Sequence, residues 1–147
     1  MPAPRRHGLP TLLIHGDSDA ARTSIEHLLS GRKTVIVRPV LDPDEEPLER
    51  TGERVLIVDS AGLSIAVVDV VSTVTTVLGD VDAATRRADD PDHTSPEQWA
   101  ITQLARWHAA GLPVPNSVDR VPVVAVGVRV VGLEVDADLP EIEAKRP

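Results

Sequence analysis

The stretch that most constrains the fold is residues 18–39, where a helix is followed at once by a strand. Apolar residues at helical spacing predict a helix from about Ser18 to Ser30. Gly31 suits the left-handed backbone just past a helix end. Residues 33–38 alternate and are rich in β-branched side chains, which predicts a strand. The stretch therefore predicts a tight helix-to-strand turn at Gly31.

The same stretch concentrates positive charge in an acidic chain. The net charge is -8, yet residues 1–39 hold six Lys or Arg against three Asp or Glu. Duplex binding depends on many phosphate contacts, so this balance disfavours a broad nucleic-acid groove, and we expect no duplex DNA partner. A small basic pocket is the alternative that the charge pattern permits. Its candidate residues are Arg32, Lys33 and Arg38.

The composition excludes several kinds of functional site. Cysteine is absent, which excludes disulfides, zinc-thiolate sites and thiol catalysis, and agrees with a cytoplasmic location. No segment approaches the roughly 20 apolar residues of a membrane helix, so we expect no membrane partner. The five histidines show no metal-ligand spacing, and we expect neither a metal nor another cofactor. Val, Leu, Ile and Ala dominate the apolar residues and favour sheet.

The rest of the chain predicts mostly strands. Thr11 to His15 is a candidate first strand, and Arg54 to Asp59 is an apolar run typical of a buried strand. Leu63 to Val77 is too long for a usual strand, so we expect it to pair with the preceding strand as a hairpin and to bend near 69–72. The remaining predicted elements are a short helix at Gly79–Ala88, a helix from Ser95 to Gly111 and a closing strand at Val121–Val131.

These elements favour an α+β fold. Because most sequential strands can pair antiparallel, we predict a small, mixed, mostly antiparallel β-barrel with helices flanking its ends. We assign residues 1–10 to a flexible lead, 11–133 to one domain and 134–147 to a polar tail. The sequence gives no indication of the oligomeric state.

The order of these motifs resembles the ASCH domain family, within the PUA-like superfamily. The helix-to-strand turn matches the family pattern L-x-x-G-x-K-T, and the resemblance covers roughly residues 20–131. The segments that carry it are Leu28-Leu29-Ser30-Gly31-Arg32-Lys33-Thr34 with Arg38, Gly52-Glu53 with the strand to Asp59, Ala66 to Val74, Ser95 to Trp99, and Val121 to Val131.

The resemblance implies a cleft that binds RNA or nucleosides. Some family members are similar to ribonucleases, and others are amidohydrolases that deacetylate N4-acetylcytidine with a Lys, a Thr three residues on and a downstream Glu. Lys33 matches the Lys, whereas Ile36 stands at the Thr position and offers no hydroxyl group. The downstream acid can only be Asp89, Asp90 or Asp92.

Each candidate residue has two interpretations. Lys33 is either a solvated lysine at a helix end or a cleft lysine that binds an oxygen or acts as a base. Arg38 either pairs with the acidic loop at 42–49 or binds a ligand, and Arg32 is expected at the surface. Asp89, Asp90 and Asp92 form either a solvated loop or a general base. Two tryptophans, Trp99 and Trp107, are expected in the core rather than on a base-stacking surface.

Three functions follow as hypotheses. The first is a domain that binds RNA or a nucleoside-sized ligand through Arg32, Lys33, Thr34 and Arg38. The second is a metal-independent hydrolase acting on RNA or an acylated nucleoside, with Lys33 as base and Asp89 or Asp90 assisting. The third is a non-catalytic interaction module, which would have no pocket beside Lys33.

Overall fold

Six strands and three helices make up the described part of the fold. The computed structural model describes residues 5–6, 8–14, 18–42, 49–59, 61–92 and 95–133. None of the described helices is both long and apolar enough to cross a membrane. The elements are β1 (Arg5–Arg6), β2 (Leu9–Ile14), α1 (Ser18–Ser30), β3 (Val35–Pro39), β4 (Arg54–Asp59), β5 (Ser64–Val77), α2 (Ala83–Asp89), α3 (Pro96–Ala109) and β6 (Pro122–Leu133), with short 3₁₀ turns at Leu78–Asp80 and Val118–Arg120.

The strands form a mixed sheet in the order β1-β2-β4-β5-β6-β3. Strands β2 and β4 pair in parallel, and every other neighbouring pair is antiparallel. The α+β class and the mixed, mostly antiparallel sheet are therefore confirmed. Among the described strands no pairing joins β3 to β1, so this sheet is open. The closed barrel stays a prediction.

The predicted hairpin and its bend are both present. Strand β4 pairs with the first part of β5, while β6 pairs with β5 from Ala66 to Val77. The register against β6 shifts between Val70 and Ser72, inside the predicted bend, and also between Val67 and Val68. Such irregularities bend a strand and increase its twist. They allow the long strand β5 to pair with both β4 and β6.

A glycine lies where three strands meet at this bend. Gly127 of β6 pairs with Val35 on one side and with Ser72 on the other. A Cβ atom at Gly127 would collide with Ser72 Oγ and lie 3.3 Å from Val71 Cγ2. A side chain at this position would therefore force Ser72 Oγ to rotate away and Val71 to shift by a few tenths of an ångström.

Replacing Gly127 by alanine is expected to lower the free energy of unfolding by about 1 kcal/mol, the low end of the cost of overpacking, because Ser72 Oγ can rotate away whereas Val71 must shift. Urea unfolding measures the loss. Gly132→Ala on the same strand is the matched control, because a Cβ there would meet Val67 Cβ at an ordinary 3.8 Å. Equal losses for the two variants would contradict the packing argument.

The core lies on both faces of the sheet. The α1-side core includes Leu28, Ile36 and Val126, and the α3-side core includes both tryptophans. Neighbouring residues of β3 enter different cores, since successive side chains of a strand point to opposite faces. Trp99 and Trp107 are buried, as predicted.

The structure differs from the sequence-based boundaries at two places. Strand β1 and the start of β2 lie in the segment assigned to a flexible lead. The predicted short helix instead begins at Ala83, because Asp82 accepts a hydrogen bond from the Thr85 backbone N–H as its N-cap. That bond lowers the pKa of the Asp82 carboxyl group. Residues 43–48 and the tail at 134–147 lie outside the described residues, and the domain boundaries stay a prediction.

Candidate functional site

The turn between α1 and β3 buries Lys33. Gly31 has a φ of 84°, and the backbone N–H groups of Arg32 and Lys33 both donate to the His27 carbonyl oxygen at 2.9 Å. This turn directs Lys33 into the protein, where its side chain is only 5% exposed. The interpretation of Lys33 as a solvated helix-end lysine is therefore wrong.

Lys33 forms a buried ion pair with Asp89. Its Nζ atom donates to Asp89 Oδ1 and to the Asp89 carbonyl oxygen, both at 2.7 Å. Asp89 is the last residue of α2, and its side chain is 4% exposed. The interpretation of Asp89 as part of a solvated loop is wrong as well. The fold thus joins two predicted site residues that are far apart in the sequence.

The Asp89 carboxylate accepts four hydrogen bonds. Oδ1 accepts from Lys33 Nζ and from the Val37 backbone N–H at 3.3 Å, and Oδ2 accepts from Trp99 Nε1 at 3.0 Å and Gln103 Nε2 at 2.6 Å. A carboxylate has about four acceptor positions, so all of them are used. No position remains to take a proton from a substrate. The geometry thus gives Asp89 a positioning role and disfavours the predicted role as general base.

The end of α2 also covers the outer edge of β3. The Thr34 N–H donates to the Ala88 carbonyl oxygen at 2.9 Å, and the Val37 N–H donates to Asp89. Strand β3 is the last strand of the sheet on this side. One edge donor of β3, and the donor of the residue that precedes it, are therefore satisfied by a helix end rather than by a neighbouring strand.

Arg38 lies at the other end of β3 and binds Glu49. Its Nε and Nη2 atoms donate to the two Glu49 carboxylate oxygens, each at 2.8 Å. The Glu49 side chain is buried, so this bidentate pair is shielded from solvent. The salt-bridge interpretation of Arg38 is confirmed.

Arg32 is at the surface, as predicted, and binds Asp92. Its Nη2 atom lies 3.1 Å from Asp92 Oδ1, and the other Asp92 oxygen lies 3.1 Å from His27 Nε2. The Asp90 carboxylate accepts from the Asp92 backbone N–H at 3.1 Å. All three cations of the predicted basic pocket therefore have a carboxylate partner.

Two neighbouring spaces adjoin the ion pair. An inner cavity of about 20 Å³ is lined by Lys33, Asp89 and Ile36 among others, and an outer cleft of about 260 Å³ is lined by His27 and the acidic residues 89, 90 and 92. Ser24, Asp89 and Arg106 line both spaces. The cleft is therefore adjacent to the inner cavity that Lys33 lines.

Sequence reasoning missed three residues of this site, namely Ser24, Gln103 and Arg106. Trp99, Gln103 and Arg106 are spaced i, i+4, i+7 on α3, so they share the helix face that meets Asp89. Polar residues on the same face as a predicted core tryptophan are the signal that could have revealed them. In the part of the chain that the structure describes, the Arg106 guanidinium group forms no hydrogen bond or ion pair.

Thr34 lines a different space from the cleft. A groove of about 560 Å³ lies between the end of α1 and the outer part of β6, and its lining includes Thr34, Lys33 and Arg129. Arg129 binds Asp69 together with Arg54. Hydrogen bonds from Arg54 and then Arg129 hold the pKa of the Asp69 carboxyl group below its ordinary value. The predicted ligand-binding set is therefore divided. Lys33 lines the inner cavity and this groove, Thr34 lines the groove, and Arg32 and Arg38 line none of the three spaces.

The histidines form no cluster among the residues described. His27 lines the cleft, and His108 lies at the end of α3 with its ring 3.0 Å from the Val114 carbonyl oxygen. No three His, Asp or Glu side chains in the described ranges are grouped as a metal site requires. The other histidines, His7, His15 and His93, lie outside the described residues.

Comparisons with known proteins identify the fold. No protein-family model matches the sequence, and no curated protein matches it. Among solved structures, the chain is similar to a DUF984 protein from Enterococcus faecalis V583, with a TM-score of 0.69 and 18% identity over 84% of this chain and 77% of the other.

Two ASCH structures give the same result. The ASCH domain from Lactobacillus crispatus JV V101 has a TM-score of 0.62 and 14% identity over 83% of this chain and 80% of the other. ASCH from Zymomonas mobilis has a TM-score of 0.51 and 15% identity over 93% of this chain and 80% of the other. The fold of this chain is therefore that of the ASCH-domain structures, as the sequence pattern predicts.

Proposed function

We propose that this chain binds a small ligand of nucleoside size in the outer cleft, next to the inner cavity that Lys33 lines. The Lys33 ammonium group supports this proposal. It has three N–H donors, and in the described part of the chain both of its acceptors come from Asp89. A buried donor without an acceptor costs about 1–3 kcal/mol, and more when it is charged. A ligand carbonyl oxygen in the inner cavity, which Lys33 lines, would supply the third acceptor.

The size and charge of the cleft favour a nucleoside over an RNA chain. Its volume of about 260 Å³ is just below the range of about 300–1,000 Å³ that is typical of small-molecule sites. Asp90 and Asp92 line the cleft and would repel a chain of phosphates. RNA binding remains an alternative that the same experiment tests.

The test is a thermal-shift screen of the pure protein against the common nucleosides, N4-acetylcytidine and short single-stranded RNA. A ligand at 100 times its dissociation constant stabilises the folded state by about 2.7 kcal/mol. We expect stabilisation by at least one nucleoside and none by RNA. Stabilisation by RNA alone, or by none of these compounds, would overturn the proposal.

Lys33→Ala is expected to weaken nucleoside binding by about 1–3 kcal/mol, because it removes a charge-assisted hydrogen bond. Isothermal titration calorimetry measures the change, after circular dichroism has shown that the variant is folded. Arg38→Ala is the matched control. It breaks another shielded ion pair near β3, but Arg38 lines neither the cavity nor the cleft. Unchanged affinity in Lys33→Ala would count against the site.

A hydrolase is the second candidate, and Ser24 is the observation that favours it. Ser24 lines the same inner cavity as Lys33 and carries the kind of hydroxyl group that Ile36 lacks. Release of acetate from N4-acetylcytidine, lost in Ser24→Ala, would support this function. Absence of turnover on N4-acetylcytidine and on oligoribonucleotides would leave binding alone. The cavity beside Lys33 argues against the third hypothesis, an interaction module without a pocket.

A further inference from the structure

We infer that Arg106 determines ligand specificity by pairing with one anionic group of the ligand, a carboxylate or a phosphate. This inference rests on the proposed binding function. The sequence pattern did not identify Arg106 as a site residue. Lys33 alone would accept a neutral ligand, whereas Arg106 favours a ligand that carries a carboxylate or a phosphate.

Arg106 lies beside both spaces of the candidate site. It is half-buried and lines the inner cavity together with Lys33 as well as the outer cleft. Its helix is held in place at the site, because Trp99 and Gln103 on the same face bind the Asp89 carboxylate. The guanidinium group is therefore attached to a rigid part of the site.

Arg106 is also the available positive charge of the cleft. Among the described residues that line the outer cleft, no other is a lysine or an arginine. The cations nearby are already used, since Lys33 binds Asp89 and Arg32 binds Asp92. Arg106 forms no such pair with any described residue. It is thus the cation of the cleft that is available to a ligand.

The guanidinium group of Arg106 suits an anionic ligand. It presents five N–H donors in a planar fork that fits a carboxylate or phosphate in a bidentate manner. Thr23 and Ser24 on α1 add hydroxyl groups to the same cleft. The carboxylates of Asp90 and Asp92 also line it and oppose further negative charge. The arrangement therefore fits a ligand with a single anionic group.

A structural role for Arg106 is the competing explanation. The residue lies in the last turn of α3, where a cation interacts favourably with the helix dipole. That role affects stability and does not distinguish between ligands. A binding measurement with matched ligands therefore separates the two roles.

The experiment uses uridine, uridine 5′-monophosphate and uridine 5′-carboxylic acid, which differ only in their 5′ group. By isothermal titration calorimetry, we expect the wild-type protein to bind at least one charged compound about 10- to 100-fold more tightly than uridine, as for a hydrogen bond to a charged group. Arg106→Gln should remove this preference, so that the variant binds the three compounds with similar affinities. Arg106→Lys retains the helix-end charge and should lose part of the preference.

Arg22→Gln is the matched control, since Arg22 is exposed on α1 next to Thr23 and lines neither space. It should retain the full preference. Equal binding of all three compounds by the wild-type protein, or an intact preference in a folded Arg106→Gln, would overturn the role of Arg106 and leave the proposed function standing. Failure of every nucleoside and of all three compounds to bind would overturn both.

Discussion

Asp89→Ala is expected to lower the free energy of unfolding by about 3–5 kcal/mol, the cost of leaving a buried charge without its partner. The variant would leave the Lys33 ammonium group without its carboxylate partner, in a side chain that is only 5% exposed. It would also remove the acceptor for Trp99 Nε1 and Gln103 Nε2. Urea unfolding followed by circular dichroism measures the loss.

Two further variants test the cause of this loss. Asp90→Ala removes the neighbouring carboxylate, which binds the Asp92 backbone N–H, and should cost at most about 1.5 kcal/mol. Lys33→Met combined with Asp89→Asn removes both charges and retains a side-chain oxygen as acceptor, so it should be more stable than Asp89→Ala. An Asp89→Ala protein as stable as the wild type would show that the ion pair does not support the fold.

Trp107→Ala should have an effect of similar size, about 3–5 kcal/mol, because it leaves a large void in a close-packed core. Trp107 is 1% exposed and packs in the α3-side core with Leu78 and Val121 among others. It also lines the inner cavity, so the void would join that space. Thermal and urea unfolding of the variant measure the loss.

Ile101→Ala is the control on the same helix. Ile101 is 57% exposed, so its truncation should change the free energy of unfolding by no more than about 0.5 kcal/mol. Losses of the same size at both positions would mean that α3 is sensitive to any truncation. Trp107 would then have no special part in the core.

Local patterns predicted the elements that depend on local interactions. The turn after α1 follows from Gly31, whose positive φ is open to glycine at little cost. The start of α3 follows from Ser95, whose Oγ accepts from the Gln98 backbone N–H at 3.0 Å. The bend in β5 follows from a run too long for one straight strand. Each of these signals lies within a few residues of the feature that it predicts.

The candidate site was predicted only in part, because its geometry depends on distant partners. The run Asp89-Asp90-Pro91-Asp92 has the composition of a solvated loop. Asp89 is nevertheless buried, since donors from the turn before β3, from β3 itself and from α3 converge on it. The parallel pairing of β2 with β4 is another long-range feature. No local pattern distinguishes Asp89 from Asp90.

The covering of β3 by α2 has a consequence for self-association. An edge strand with unpaired N–H and C=O groups can pair with strands of other molecules, which leads toward aggregates and fibres. Here Thr34 and Val37 already donate their N–H groups to the end of α2, so an incoming strand would find those donors occupied. Detachment of α2 would free them at the same moment that it separates Asp89 from Lys33. Loss of the ion pair should therefore make the protein prone to polymerise as well as less stable.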